Sequence, residues 1–211
     1  MDPDLYAYPE TDRPWLRTNF VSTVDGAAHD VSGVTASLGG DADHEVFQLL
    51  RRLADVVMVG AGTARVEKYR SSSTPMALVS RRLDIPERLV EPGLIVITTT
   101  DAPSDRVETL RAAGVEVMTH GEIEIDWPAA LDAFGARGWN RILCEGGPTL
   151  HGDLVTQDLV DEVCLTIAPT LTSGDAPRIA HSRLPVAHGM RLAHAVPVGD
   201  VLLTRWVRDR T

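Results

Sequence analysis

The feature that most constrains this sequence is an alternation of short apolar runs with amphipathic segments. Runs rich in β-branched residues, such as "DVVMVG" at 55–60 and "LIVITT" at 94–99, have the length and composition of buried strands. The clearest helical segment between such runs has an apolar face of Val46, Leu49, Leu50 and Leu53. Because parallel neighbouring strands need crossover connections, this order predicts an α/β sheet with helices on its faces.

The ends of several elements can also be predicted. A first strand is expected over 15–24, before an Asp-Gly turn. Helix starts are expected at Asp41 or Asp43, at Thr63 and at Ser104, because each side chain can accept a hydrogen bond from the first helical turn.

The last third of the chain has a different pattern. The runs "EVCLTIAP", "MRLAHAV" and "VLLTRWVR" indicate strands with little helix between them, and "PVGD" at 197–200 is typical of a hairpin turn. The sheet should therefore be mixed. No linker-like segment divides the 211 residues, so we expect one domain over 1–211, with 1–12 as the candidate flexible segment.

Composition argues against several classes of protein. A formal charge of −10 disfavours a nucleic-acid surface, and Lys68 is the only lysine on which Schiff-base chemistry could depend. No apolar run reaches a membrane-spanning length, and the first residues lack the basic start and apolar core of a signal peptide, so a cytoplasmic location is expected. Cys144 and Cys164 each lie in an apolar run, which favours buried thiols over a disulfide.

Motifs for other chemistries are absent from the sequence. The seven histidines form no H-E-x-x-H pair and no array with cysteine at metal-ligand spacing, so no metal site is expected. There is also no G-x-S-x-G elbow and no G-x-x-x-x-G-K-[ST] loop. A serine hydrolase or a P-loop enzyme therefore has no support.

The segment "LCEGGPTLHG", 143–152, combines features of a ligand-binding turn. Glu145 follows a predicted strand, Gly146 and Gly147 form the turn, and Pro148 suits the first position of a helix. Glycines let a ligand approach the backbone, and the N–H groups at a helix start favour an anion such as a pyrophosphate. The alternative is a tight turn that binds no ligand.

Two further segments strengthen the ligand-binding interpretation. "VGAGTARVE", 59–67, also follows a strand and opens a helix; it begins like the dinucleotide fingerprint, although Arg65 occupies the third glycine position. In "VSRR", 79–82, a serine and two arginines could hold a 2′-phosphate, which would favour NADP(H). Arg81 and Arg82 are equally compatible with a solvated surface.

Three longer segments can be compared with known families: "NFVSTVDGAA", "LLRRLADVVMVGAGTARVE" and "ILCEGGPTLHGDLVTQDLVDEVCLTIAPTL". Their order and spacing resemble those of the pyrimidine reductase family of riboflavin biosynthesis, within the dihydrofolate reductase-like superfamily. The resemblance covers nearly the whole chain. It implies a three-layer α/β/α fold with a mixed, mostly parallel sheet and a C-terminal antiparallel hairpin, a homodimer, and NADPH as cofactor. It also implies reduction of a ribosyl to a ribityl side chain, with 5-amino-6-(5-phosphoribosylamino)uracil as the expected substrate. No segment resembles the zinc deaminase domain of the bifunctional relatives, so deamination is not implied.

Site residues are implied by the same resemblance. Substrate contacts map onto Thr35, Arg51 and Glu145, with Arg51 at the ribose phosphate and Glu145 close to the transferred hydride, as the catalytic residue. The alternatives are a surface ion pair for Arg51 and a turn-stabilising carboxylate for Glu145. Asp25, which matches a family signature, suits a turn role at least as well as catalysis. Cofactor contacts map onto Val21, Ser22, Ser37, Thr63, Glu67, Ser80, Gly147, Pro148, Thr149, Leu150, His151, Gly152 and Asp153.

The sequence departs from the family in three places. Asn19 stands where many bacterial relatives have lysine, and Glu67 where they usually have aspartate followed shortly by proline. The segment "VEKYRSSSTP", 66–75, replaces a longer loop that carries a substrate-binding arginine, for which Arg70 is the candidate replacement. Two alternatives therefore stay open: reduction of dihydrofolate, a pterin or another heterocycle, and nucleotide binding without catalysis.

Overall fold

A computed structural model describes residues 1–31, 33–35 and 38–210, and in this part of the chain nine strands form one sheet. The strands are β1 Trp15–Thr23, β2 Val56–Gly60, β3 Met76–Val79, β4 Ile95–Thr98, β5 Glu116–Thr119, β6 Arg141–Cys144, β7 Glu162–Ala168, β8 Met190–Val198 and β9 Val201–Arg208. Their order is β5-β4-β3-β2-β6-β1-β7-β9-β8. Strands β1 to β7 pair in parallel, and β9 runs antiparallel to β7 and β8, which confirms the mixed sheet and the C-terminal hairpin.

The helices cover both faces of this sheet. They are α1 Gly40–Leu53, α2 Ala61–Val66, α3 Ser104–Ala112, α4 Trp127–Gly135 and α5 Pro148–Thr156, with short 3-10 helices at Pro3–Tyr6 and Glu87–Leu89. Successive residues of a strand point to opposite faces. In β2, Met58 accordingly packs with the apolar side of α4 and α5, whereas Val57 packs with α1 and Val59 with α2 and α3. The result is the expected three-layer arrangement.

The start of α1 differs from the sequence prediction. The helix begins at Gly40 with Gly39 as its N-cap residue, so neither Asp41 nor Asp43 caps it. Gly40 has φ +60°, a conformation that glycine adopts at little cost. The two glycines thus set the direction in which the chain enters the helix, and both aspartates lie within its first turn.

The starts of α2 and α3 also differ from prediction. Strand β2 runs directly into α2, with Gly60 as the N-cap residue, so Thr63 lies inside the helix. Ser104 is the first residue of α3 rather than its cap, and Pro103 precedes it. In both cases the residue that was expected to cap the helix already belongs to it.

The two cysteines and one residue of the N-terminal segment, Tyr6, lie in the core. Cys144 and Cys164 are free, buried thiols, and burial raises the pKa of Cys144 to about 12. Tyr6 is buried against α1, and Arg205 donates hydrogen bonds to the carbonyls of Leu5 and Ala7. Among the described residues, no helix has the length and apolar character needed to cross a bilayer.

A buried ionic cluster joins β1, β7 and β9. The Arg17 Nε lies 2.5 Å and the Arg205 Nε 2.9 Å from Oε1 of Glu162, and both Arg17 and Glu162 are fully buried. The Tyr8 ring lies 3.8 Å from the Arg17 guanidinium carbon. Burial alone would raise the pKa of Glu162, but the two arginines outweigh it and hold that pKa below its usual value.

Replacement of Glu162 tests this cluster. We expect Glu162→Gln to lower the free energy of unfolding by about 3–5 kcal/mol, because two guanidinium groups lose their shared counter-charge. The matched control Glu116→Gln, which breaks a more exposed pair with Arg137, should cost no more than about 1 kcal/mol. Urea unfolding gives both values, and equal losses would contradict the prediction.

The same cluster predicts a pH dependence. Since the folded-state pKa of Glu162 is lowered, its stabilising contribution is present above its unfolded pKa and is lost as the pH falls through the folded value. Glu162→Gln should therefore lose less stability than the wild type on acidification.

Candidate active site

Two glycine-rich turns lie side by side at the carboxyl ends of neighbouring strands. Because β2 and β6 are paired in parallel, the turn after each emerges at the same edge of the sheet. The pairing continues beyond the strands: the Glu145 N–H donates to the Met58 carbonyl at 2.9 Å, and the Gly60 N–H donates to the Gly146 carbonyl at 2.7 Å. The sequence segments 59–67 and 143–152 thus form one binding edge.

The turn after β6 requires glycine at Gly146 and makes a close contact at Gly147. Gly146 has φ +82°, and a Cβ there would lie 2.8 Å from the Phe20 ring. A Cβ on Gly147 would lie 2.5 Å from the Thr63 hydroxyl. The peptide bond between the two glycines is cis. The two Cβ distances show how closely the turn approaches β1 and the start of α2.

A cavity of about 460 Å³, the β3 cavity, lies on one side of these turns. It is lined by both glycine-rich segments, by Ser80 and Arg81 after β3, by Glu124 before α4 and by Asp153 on α5. Helix α5 begins beside this cavity, after Gly147, and no side chain of the described residues forms an N-cap hydrogen bond there. Its first-turn N–H groups and dipole suit a phosphate.

The β3 cavity is lined by one exposed ion pair and by the carboxyl group of Asp153. The Arg81 Nη1 donates to both carboxylate oxygens of Glu124 at 2.7 Å, on an exposed part of the wall. Burial raises the pKa of Asp153, and Glu124 raises it further, while Arg81 opposes them. A bound phosphate would therefore compete with Glu124 for Arg81.

A second cavity of about 390 Å³, the β1 cavity, lies on the other side of the turns. Its lining includes Phe20, Asp43, Glu67, Tyr69 and Glu145. The two cavities share Gly62, Thr63, Gly147 and Pro148. A Cβ on Gly62 would meet no atom within 4 Å, so its backbone is open to a ligand. The two cavities therefore adjoin, one on each side of the two turns, and together they are called the cleft.

A buried ion pair forms the inner wall of the β1 cavity. The Arg51 Nε and Nη2 each donate to a different oxygen of Glu145 at 2.7 Å. The Arg51 guanidinium carbon lies 4.3 Å from the Phe47 ring centre and 5.0 Å from that of Tyr69. Burial raises the pKa of Tyr69 well above its usual value, with a further contribution from Glu145. Glu145 lines the cavity, whereas Arg51 lies behind it and is not among the lining residues.

The remaining predicted residues divide into three groups. Thr35 donates its N–H to Oε1 of Glu67 at 2.9 Å, and both line the β1 cavity with Val21. Ser80, Thr149, Leu150 and Asp153 line the β3 cavity. Ser22, His151 and Gly152 line neither cavity. Ser37 lies outside the described residues.

His151 and Gly152 point away from the cleft. The His151 ring stacks on Phe20 with centroids 4.6 Å apart, and its Nδ1 lies 3.0 Å from the Ile179 carbonyl. Burial lowers the pKa of His151 to about 4, although the Ile179 contact opposes that shift. Gly152 packs so closely against the backbone of His181 that a Cβ would clash. These two residues fix the packing of α5 rather than line a ligand cavity.

Asp25 has the turn role that the sequence allowed. Its carboxylate accepts hydrogen bonds from the Thr23 hydroxyl at 2.5 Å and from the N–H groups of Thr172 and Ser173 at 3.2 and 2.9 Å. The Thr23 bond, followed by the two backbone bonds, lowers the pKa of Asp25 to about 2. Asp25 thus ties the turn after β1 to the segment after β7.

Sequence reasoning missed several polar residues of the β1 cavity, among them Asp43, Tyr69, His29 and His44. Asp43 was expected only as a possible helix cap, and Tyr69 lies in a segment that departs from the family pattern. The proximity of α1 to the carboxyl ends of β1 and β6 could have indicated Asp43. Within residues 1–31, 33–35 and 38–210, no three His, Cys, Asp or Glu side chains are grouped so as to hold a metal ion.

Solved structures share this fold. A pyrimidine reductase-like protein from Corynebacterium diphtheriae superposes with a TM-score of 0.84 at 23% identity, over the full length of both chains. Dihydrofolate reductase from Enterococcus faecalis, in complex with NADP(H), gives a TM-score of 0.55 at 13% identity over 92% of this chain and 96% of that one. The architecture is therefore dihydrofolate reductase-like, as the resemblance implied.

Sequence comparison identifies the family. The model of the RibD C-terminal domain matches residues 14–204, and the chain belongs to this family. A 2,5-diamino-6-ribosylamino-4(3H)-pyrimidinone 5′-phosphate reductase from Methanothermobacter thermautotrophicus is 30% identical over 77% of this chain and 81% of its own length. The protein of the same name from Archaeoglobus fulgidus is 27% identical over 79% and 86%, respectively.

The close approach at Gly147 can be tested directly. We expect Gly147→Ala to weaken NADPH binding by tenfold or more, on the order of 1.4 kcal/mol, because the added Cβ must displace the turn or Thr63. Quenching of tryptophan fluorescence would measure the affinity. The control Gly189→Ala, where a Cβ meets nothing within 4 Å, should bind as the wild type does. Unchanged affinity in Gly147→Ala would show that the turn does not shape the cofactor site.

Proposed function

We propose that this protein is an NADPH-dependent reductase of a ribosylaminopyrimidine 5′-phosphate in riboflavin biosynthesis. The observation that carries the proposal is the pair of adjoining cavities: the same two glycine-rich turns form the wall of a phosphate-suited cavity on one side and of a cavity with Glu145 on the other. A reductase needs this arrangement, because cofactor and substrate must meet at one point. The names of the relatives from the RibD C-terminal domain family support it.

The β3 cavity fits the phosphate-bearing part of a dinucleotide. The backbone of Gly147 and the first turn of α5 would hold the pyrophosphate, and Ser80 and Arg81 would hold a 2′-phosphate. The open backbone at Gly62 then lets the dinucleotide pass between the cavities. When bound, reduced nicotinamide supplies a hydride; the protein orients the ring and excludes water.

The β1 cavity fits the pyrimidine and its ribosyl group. Glu145, held by Arg51, presents a fixed acceptor toward a polar edge or hydroxyl of the substrate. Two substrates are compatible with this role: the diamino compound in the names of the archaeal relatives, and the deaminated uracil in the name of a Thermotoga maritima deaminase/reductase with the same fold. Both carry the same reacting ribosylamino group.

The activity test compares four mixtures. NADPH absorbance is followed with the diamino compound, with 5-amino-6-(5-phosphoribosylamino)uracil, with dihydrofolate, and without substrate. Oxidation with either ribosylaminopyrimidine supports the proposal, and the faster one identifies the substrate. Oxidation with dihydrofolate alone would favour the heterocycle alternative, and NADPH binding without any oxidation would favour a binding protein.

Glu145→Gln tests the substrate side of the cleft. The amide keeps the shape of the side chain but removes the charge, so we expect kcat/KM for the ribosylaminopyrimidine to fall by about 10²-fold or more. The affinity for NADPH should change less than threefold. Glu108→Gln, on the exposed side of α3, is the matched control and should leave both unchanged. Wild-type turnover in Glu145→Gln would remove this residue from the site.

Arg81→Ala tests the choice of cofactor. If Arg81 holds the 2′-phosphate, the variant should lose about tenfold in affinity for NADPH and little for NADH, because only NADPH carries that group. Glu124→Gln should have the opposite effect and strengthen NADPH binding, since it releases Arg81. Arg191→Ala, an exposed change on β8, is the control. Equal losses for NADH and NADPH in Arg81→Ala would place the phosphate elsewhere.

We propose further that residues 1–211 form one domain, because the sheet takes strands from near both ends of the chain. A cytoplasmic location and a homodimer are proposed from the resemblance to the family. The apparent mass in solution checks the dimer.

A further inference from the structure

Reduction of a ribosylamino group needs a proton as well as a hydride. When C1′ of the ribosyl ring receives the hydride, the C1′–O4′ bond breaks and its electron pair stays on O4′. A positioned acid that protonates O4′ stabilises this charge as it develops. The donor must reach the β1 cavity, where the proposed function places the substrate, and it must hold its proton at neutral pH.

Two of the three carboxylates in the β1 cavity are poorly suited to this task. Both oxygens of Glu145 already accept hydrogen bonds from Arg51. Oε1 of Glu67 accepts the N–H of Thr35. Each of these two carboxylates is thus already engaged by a donor of the protein.

Asp43 is differently placed. It lies in the first turn of α1 and lines the β1 cavity. Its carboxyl group is hydrogen-bonded to the buried Thr166 on β7. Its Oδ1 is buried and, among the described residues, has no hydrogen-bond partner. An ionised oxygen in such a position is costly, so burial favours the neutral, protonated carboxyl group.

The surroundings of Asp43 contain little positive charge. Among the described residues that line the β1 cavity there is no arginine or lysine; the titratable side chains there besides Glu67 and Glu145 are His29, His44 and Tyr69. Burial raises the pKa of Asp43, while the Thr166 bond and His44 oppose that shift. His44 is exposed, and His29 has its Nδ1 2.8 Å from the Asp30 carbonyl.

We propose that Asp43 is the catalytic proton donor of this reductase, a role that rests on the proposed function. C1′ gains a hydride from reduced nicotinamide, which is oxidised; the C1′–O4′ bond breaks; and O4′ takes the proton of the Asp43 carboxyl group. Solvent returns one proton to Asp43 after the ribityl product leaves. One hydride and one proton are consumed in each turnover.

The first test is Asp43→Asn, which keeps the size of the side chain but has no acidic proton. With the better of the two ribosylaminopyrimidine phosphates, kcat should fall by about 10²-fold or more, and the affinity for NADPH should stay within threefold. Asp41→Asn removes an exposed carboxylate from the same helical turn and controls for the helix dipole. A kcat within twofold of the wild type in Asp43→Asn would overturn the proposal.

The pH profile separates a proton donor from a residue that only shapes the cavity. In the wild type, kcat should fall as the pH rises through the pKa of Asp43, because the donor loses its proton. This decline should be absent from the residual activity of Asp43→Asn. The same decline in the variant would assign the proton to another group, such as His29. If the variant does not fold, a wild-type kcat that stays constant from neutral to alkaline pH would overturn the proposal.

A second readout needs no turnover. The infrared spectrum of the unliganded wild type at neutral pH should contain a protonated carboxyl C=O band that Asp43→Asn lacks and Asp41→Asn retains. Absence of that band would overturn the assignment even in an active enzyme. If the wild type oxidises NADPH with none of the substrates but shows the band, the proposed function fails while the protonation of Asp43 stands.

Discussion

Two backbone hydrogen bonds beyond the ends of β2 and β6 hold the whole site together. They join Gly60 to Gly146 and Glu145 to Met58, and so align two turns that lie about 85 residues apart in the sequence. Every feature of the cleft follows from this alignment: the close approach of Gly147 to Thr63, the wall shared by the two cavities, and the position of Glu145. A scaffold of parallel strands provides such alignment because their carboxyl ends emerge at one edge.

The ion pairs of the cleft differ in how deeply they are buried and therefore in how strongly the two charges attract each other. Deep in the β1 cavity, the charge of Glu145 is balanced by Arg51, and the bidentate pair fixes the orientation of the carboxylate. In the β3 cavity, the pair of Arg81 and Glu124 is exposed, and its weak attraction can be exchanged for a ligand phosphate. Strong pairing suits a group that must not move, and weak pairing suits one that must change partner.

Much of the fold, and part of the site, could be predicted from the sequence. Apolar periodicity located the strands, and glycines at strand ends located the binding edge. The pairing of Arg51 with Glu145 could not be predicted, because it joins residues 94 positions apart through the packing of α1 on β6. Helical geometry explains why only part of α5 lines the β3 cavity: Thr149 and Asp153 are four residues apart and share one face, whereas the His151 side chain stacks on Phe20 on the other face.

The topology also bears on how the chain acquires its structure. Strand β1 is made early, but both of its neighbours, β6 and β7, begin more than 120 residues later in the sequence. On a ribosome, the central strand of the sheet would emerge well before anything that can pair with it. Arg17, within that strand, then meets Glu162 and Arg205 only after nearly the whole chain has been synthesised. Folding of this protein is thus dominated by distant pairings, a property associated with slow folding and with a need for protection of the nascent chain.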